Sequence, residues 1–151
     1  MSAAASPSLQ TSCPSCLRAV RVPRERLADA PRCPACKTAL LPGSPIELDD
    51  RSFDAFVRQT ELPVLVDFWA PWCGPCRTFG PVVADAASQL APSLLVVKVN
   101  TDAAPRTAGR FGIRSIPTVV LLRGGREAAR QAGAQPLGAL REWLAAGGVP
   151  G

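Results

Sequence analysis

Three Cys-x-x-Cys units constrain this chain more than any other feature: CPSC (13–16), CPAC (33–36) and CGPC (73–76). Together they hold all six cysteines. A pair at this spacing binds a metal, closes a structural disulfide, or exchanges electrons with other thiols. The chain has no histidine. That removes Ser-His-Asp hydrolases, Cys-His proteases and His-ligated metal centres, so any soft-metal site must be built from thiolates, with Asp or Glu as the only other donors.

Cys13, Cys16, Cys33 and Cys36 form C-x2-C-x16-C-x2-C, a spacing read as a four-cysteine zinc site. Zn2+ takes four thiolates in a tetrahedron, each pair supplied by one tight knuckle turn. A segment of about 30 residues buries little core, so a metal would have to organise it. Two disulfides or a free redox relay are the alternatives. Zinc knuckles often carry Gly after the second cysteine, where the backbone turns left-handed. Here those positions hold Leu17 and Lys37. One Zn2+ with four thiolates adds −2, taking the formal charge from +5 to about +3.

The start, MSAAASPSLQTS, lacks the basic residues and apolar run of a signal peptide, and no stretch approaches a membrane span. Residues 1–12 read as a disordered tail. The expectation is a cytoplasmic protein, where paired cysteines serve metal binding or redox chemistry rather than structural disulfides. The arginines are scattered singly, so no nucleic-acid surface is indicated and no membrane contact is expected.

A break at LPGSP (41–45) separates a zinc ribbon over 13–42 from a folded domain over 45–147. In that domain IEL (46–48) is a short strand, and Asp49 or Asp50 caps a helix with Phe53, Phe56 and Val57 inward. VLVDFW (64–69) and LLVVKVN (94–100) are buried strands. A helix from Cys73 carries Phe79, Val82, Val83, Ala86, Ala87 and Leu90 at helical spacing, with a kink predicted at Pro81. A short helix covers about 102–109. TVVLL (118–122), the turn RGGR (123–126) and EAARQ (127–131) make a hairpin with a weak edge strand. Pro136 opens a last helix with Leu137, Leu140, Trp143 and Leu144 inward. The order β-α-β-α-β-α-β-β-α predicts an α/β fold, a mixed sheet with helices on both faces.

A helix beginning at Cys73 offers that sulfur unpaired N–H groups and the positive end of the helix dipole, which favour the thiolate. At pH 7 a thiol of pKa ~8.5 is only about 3% ionised, so this placement matters. Cys76, three residues on, is within disulfide reach. That makes Cys73 the attacking thiolate and Cys76 the resolving thiol. A lone pair of this kind also suits a metal knuckle.

The segments VDFWAPWCGPCR, VVKVN and FGIRSIPT decide between these readings, because over residues 45–147 the chain resembles thioredoxin. The resemblance implies protein-disulfide reduction through a redox-active Cys73–Cys76 disulfide. It matches Asp67 to the buried acid beneath the pair and Lys98 to the lysine near that acid. Trp72, Gly74 and Pro75 fall in the substrate-facing turn. Ile116 and Pro117 match the cis-proline segment that holds substrate backbone, and Gly124 or Gly125, and Gly133, match glycines near the groove. From the residues alone, Asp67 is also readable as an ordinary strand residue, Lys98 as a snorkelling surface lysine, and Pro117 as an edge-strand proline. Phe68 and Trp69 read as core. With the four upstream cysteines, the chain resembles the zinc-ribbon thioredoxins of bacteria (thioredoxin 2). That implies one structural Zn2+, a monomer, thioredoxin reductase as electron donor and disulfide-containing proteins as clients. Pro75, where oxidising relatives place His, argues for a reductant. The rivals are a thiol oxidase or isomerase, and a zinc-ribbon interaction or redox-sensing module with the second domain as scaffold.

Overall fold

The computed structural model describes residues 7–150. In chain order the elements are β1 (Ser8–Ser12), β2 (Ala19–Pro23), a 3-10 turn (Arg24–Arg26), β3 (Ile46–Leu48), α1 (Phe53–Arg58), β4 (Val64–Trp69), α2 (Gly74–Leu90), β5 (Leu95–Asn100), α3 (Pro105–Arg110), β6 (Thr118–Arg123), β7 (Arg126–Ala132) and α4 (Leu137–Ala146). β1 and β2 form an antiparallel pair. The other strands form one mixed sheet in the order β3-β5-β4-β6-β7. β3, β5 and β4 run parallel, and β6 runs antiparallel to both of its neighbours, β4 and β7.

β4 lies at the centre of the sheet, which explains its apolar run, broken only by Asp67. Its side chains alternate between the two faces. Val64, Val66 and Phe68 pack with Phe53, Phe56 and Val57 of α1. Phe111, just past α3, closes that layer with rings 5.7 Å from Phe53 and 5.5 Å from Phe68. Leu65 faces the other way, onto Phe79, Val83 and Ala87 of α2 and Leu140 and Leu144 of α4. Asp67 shares the parity of Leu65, so it lies on the α2 face. Leu137 and Trp143 sit only half-buried at the margin of that layer. α2 continues past Pro81, which removes one backbone donor from its ladder.

Two expectations are resolved by the structure. Of Asp49 and Asp50, only Asp49 serves the start of α1, whose N-cap residue is Ser52. Asp49 Oδ1 accepts from the N–H of Arg51 and Ser52 in the turn before α1. Asp50 instead caps α3: its carboxylate accepts from the N–H of Arg106 and Thr107 and from the Thr107 hydroxyl. α3 has no capping side chain of its own, because its N-cap is Ala104. The expected tail over 1–12 is ordered where it can be seen. Residues 1–6 lie outside the described residues, but Ser8–Ser12 is β1, paired with β2 in register from Ser8↔Pro23 to Ser12↔Ala19. Leu9 is buried with the α1 layer of the core.

The N-terminal segment is sewn to the end of α1 through polar contacts. Ser12 N–H donates to Thr60 Oγ1 (3.2 Å), Glu61 N–H to the Gln10 carbonyl (2.9 Å) and Gln59 Nε2 to the Leu17 carbonyl (2.8 Å). The break at 41–45 is therefore not the only connection between the two parts.

Candidate active site

The C-terminal end of β4 delivers the chain to Cys73, which takes extended dihedrals and caps α2. Its Sγ accepts the N–H of Cys76 at 3.2 Å, in the role an Asp or Ser oxygen plays at other helix starts. Gly74 and Pro75 are the first two helical residues, and proline is tolerated there because its missing N–H had no helical partner. Cys73 and Cys76 are joined as a disulfide with Cα atoms 5.2 Å apart. Both are buried, at 5% and 2% exposure, against Ala70, Trp69 and Ile116. Trp69 thus contacts the pair rather than serving only the core.

The loop before β6 faces the cysteines. Cys73 Sγ lies 3.8 Å from the Ile116 carbonyl, and the Ile116–Pro117 bond is cis. Gly133, with φ +93°, donates its N–H to the Pro117 carbonyl at 2.8 Å. The β6–β7 register explains this contact: Thr118 pairs with Ala132, so Gly133 arrives beside Pro117. Gly124 and Gly125 do not belong here. They make the tight turn at the other end of that hairpin, about 20 Å of strand away. Both have positive φ, as a two-residue hairpin turn requires.

Trp72 stands out from the surface at 68% exposure. Its indole N–H donates to Asp102 Oδ2 at 2.9 Å. A shallow cleft of about 180 Å3 beside it is lined by Ile113, Ile116 and Thr101. Asp102 escaped the sequence reading, since nothing local links it to a tryptophan 30 residues earlier.

Asp67 is 1% exposed, and neither carboxylate oxygen has a hydrogen-bond partner among the described residues. Burial pushes its pKa up to about 6; Lys98 pulls it down and Glu47 pushes it further up. The sheet register explains both neighbours, because Lys98 is paired with Asp67 on one side and with Glu47 on the other. The Lys98 ammonium lies 4.4 Å from the centre of the Trp69 ring. The lysine is therefore half-buried beside the pair's supporting residues rather than a free surface cation.

The residues 44–146 match the thioredoxin family model. The chain belongs to the thioredoxin family. It is a thiol–disulfide oxidoreductase, as its thioredoxin relatives at 46–51% identity support. It is 46% identical to thioredoxin C-3 of Corynebacterium nephridii over 132 residues, 87% of this chain and 90% of that one. It is 51% identical to a thioredoxin of a Synechocystis species over 90 residues, 60% of this chain and 84% of that one. A third relative, thioredoxin 1 of a Nostoc species, is 47% identical over 98 residues, 65% and 92% of the two chains. The C-3 match is longer than the thioredoxin domain itself, so it reaches into the cysteine-rich segment.

Upstream of the thioredoxin domain, the sulfurs of Cys13, Cys16, Cys33 and Cys36 all lie within 4.8 Å of one another. Cys13 and Cys36 sulfurs are 3.5 Å apart and those of Cys16 and Cys33 3.7 Å. Four thiolates at about 2.3 Å from one ion stand at such separations, so the cluster can hold a metal ion. Two matching knuckles build it. Leu17 N–H donates to the Cys13 carbonyl and Lys37 N–H to the Cys33 carbonyl. Leu17 and Lys37 take φ of +63° and +69°, the left-handed conformation glycine usually supplies. The knuckle geometry is thus kept without its usual residue.

Proposed function

We propose that the chain is a protein-disulfide reductase of the zinc-ribbon, thioredoxin 2 type, working in the cytoplasm as a monomer. Electrons come from thioredoxin reductase and pass to disulfide-containing client proteins. The observation that carries this reading is Cys73 at the helix start, holding the Cys76 N–H, with the Ile116 carbonyl and cis-Pro117 opposite.

In the reduced form the Cys73 thiolate attacks one sulfur of a client disulfide. A Cys73–client bond forms, and the other client sulfur leaves as a thiolate that takes a proton from water. Trp72, Ile116, Pro117 and Gly133 flank the place where client backbone would lie. Asp67, with a pKa near neutrality, accepts the proton of Cys76. Lys98 steadies the charge on Asp67. The Cys76 thiolate then attacks the Cys73 sulfur, closing the intramolecular disulfide and releasing the second client thiol. One disulfide is reduced and one formed. The chain carries no dinucleotide fingerprint, which fits an external reductase.

Zn2+ suits the ribbon because four sulfurs with no imidazole or carboxylate are its common structural set. Cys13, Cys16, Cys33 and Cys36 would hold it, and it would supply structural cross-linking rather than reaction chemistry. A reductase-coupled insulin assay tests the function. Wild type should reduce insulin at least about a hundredfold faster than Cys73→Ser, since removing a nucleophile costs at least that factor. Equal rates would overturn the reading. A thiol oxidase is disfavoured by Pro75, which donates no hydrogen bond to a thiolate.

A further inference from the structure

We propose that the ribbon carries a docking slot for an extended, acidic peptide segment of client proteins, added as a strand along the free edge of β2. The slot has a volume of about 350 Å3, within the range of recognition pockets. Four consecutive residues, Val20, Arg21, Val22 and Pro23, line one wall. Successive side chains of a strand point to opposite faces, so a cleft touching all four runs along the strand's edge rather than over one face. β2 pairs only with β1, which leaves that edge without a strand partner among the described residues.

The opposite wall comes from the second knuckle. Pro31, Arg32 and Pro34 line it, and Leu40 reaches across at its base. An Arg32↔Ala39 bridge and a bond from Leu40 N–H to the Pro31 carbonyl brace this wall. Its prolines lack N–H groups, so it cannot supply a second full ladder. Main-chain pairing therefore belongs to β2, and side-chain contact to the far wall. Val22 and Leu40 are buried at 3% and 0% exposure and give the slot an apolar floor.

Charge selects the occupant. Arg21, Arg26 and Arg32 line the slot against one acid, Asp29. None of the three arginines is ion-paired among the described residues. Arg21 donates to Ser8 across the hairpin and Arg32 donates to the Lys37 carbonyl, which hold both guanidinium groups in place. A basic rim over an apolar floor fits a strand that alternates acidic and apolar residues. A nucleic acid fits less well, because no aromatic side chain lines the slot to stack a base. The peptide binding stands alone; its consequence, client selection, rests on the reductase reading.

The test is a titration of the full reduced protein, purified with its metal, with a synthetic peptide alternating Glu and Val. Backbone amide resonances report the site. Shifts should cluster at residues 20–23 and 29–34, and binding should weaken with added salt. Arg26→Glu should weaken binding about tenfold, as reversing a rim charge opposite an acidic ligand does. The Arg26 side chain makes no hydrogen bond or ion pair among the described residues, so unchanged metal content and unchanged reduction of a small aromatic disulfide will show that the variant is intact. N-methylation of alternate peptide bonds should abolish binding. Four results overturn the proposal: no binding, equal binding of a Lys–Val peptide, shifts centred on Trp72 and Ile116, or full binding of the methylated peptide. Tighter binding of an oligonucleotide at the same residues overturns it as well. Peptide binding without insulin reduction would uphold the slot and sink the reductase reading. Insulin reduction without peptide binding would do the reverse.

Discussion

Asp67 shows how much one buried side chain can set. The unfolded chain ionises it near 3.8, but the fold raises that to about 6. A carboxyl raised on folding destabilises the folded state where it is charged. The penalty is absent below about pH 4, grows between about 4 and 6, and is complete above. Two units correspond to about 3 kcal/mol. Asp67→Asn should therefore stabilise the protein by up to about 3 kcal/mol at pH 8, with the gain fading near pH 4, while insulin turnover falls. Denaturant midpoints measured across that range check it. A gain that persists at pH 4 would show that Asp67's charge is not the cause. This residue was legible in the sequence because a lone acid in VLVDFW breaks an apolar run. Asp102 was not, because its hydrogen bond to Trp72 spans two elements. Nor was Glu47, which reaches Asp67's surroundings only through the register of β3 on β5.

Most of the elements could be read from periodicity, and α2 and β4 carry the strongest patterns. What periodicity missed were contacts that cross the chain. Asp50 lies just before α1, so local reasoning assigns it there, yet it caps α3 from more than 50 residues away. β1 was hidden in a low-complexity start because the residues that bury Leu9, among them Phe56, Val57 and Leu62, lie more than 40 positions further along the chain. The knuckles pose the opposite case. The sequence showed the wrong residue for a left-handed turn, and the structure adopts that turn regardless. Left-handed backbone costs a non-glycine residue about 1 kcal/mol or more. Lys37→Gly should relieve part of that strain. Its metal release to a chelator should slow, by up to about fivefold. Faster release would mean that the Lys37 side chain, which donates to the Pro34 carbonyl, supports the knuckle more than its backbone strains it.

Across the whole molecule, the ribbon and the thioredoxin domain meet along a seam that reaches into the α1 side of the core. Among the described residues, the α2–α4 side of the sheet contains no ribbon residue, and the α1 side includes Leu9 as its only buried one, with Leu17, Leu27 and Leu41 partly buried against it. Removing the metal should loosen the seam and lower the melting midpoint while leaving insulin reduction altered in degree. Metal analysis of protein purified under reducing conditions should find about one zinc per chain, released by peroxide as the thiolates oxidise. Finding none would remove zinc from the account. Loss of all activity on zinc removal, with the CGPC pair still reduced, would show that the seam carries more than stability. The central claim is the division of labour between Cys73 and Cys76, and trapping tests it most directly. Each cysteine is changed to Ser, the reduced variants are mixed with disulfide-containing proteins, and covalent adducts are identified by mass spectrometry. Cys76→Ser should accumulate mixed disulfides at Cys73, because attack proceeds and resolution cannot. Cys73→Ser should accumulate none. Adducts in Cys73→Ser, with none in Cys76→Ser, would contradict the mechanism.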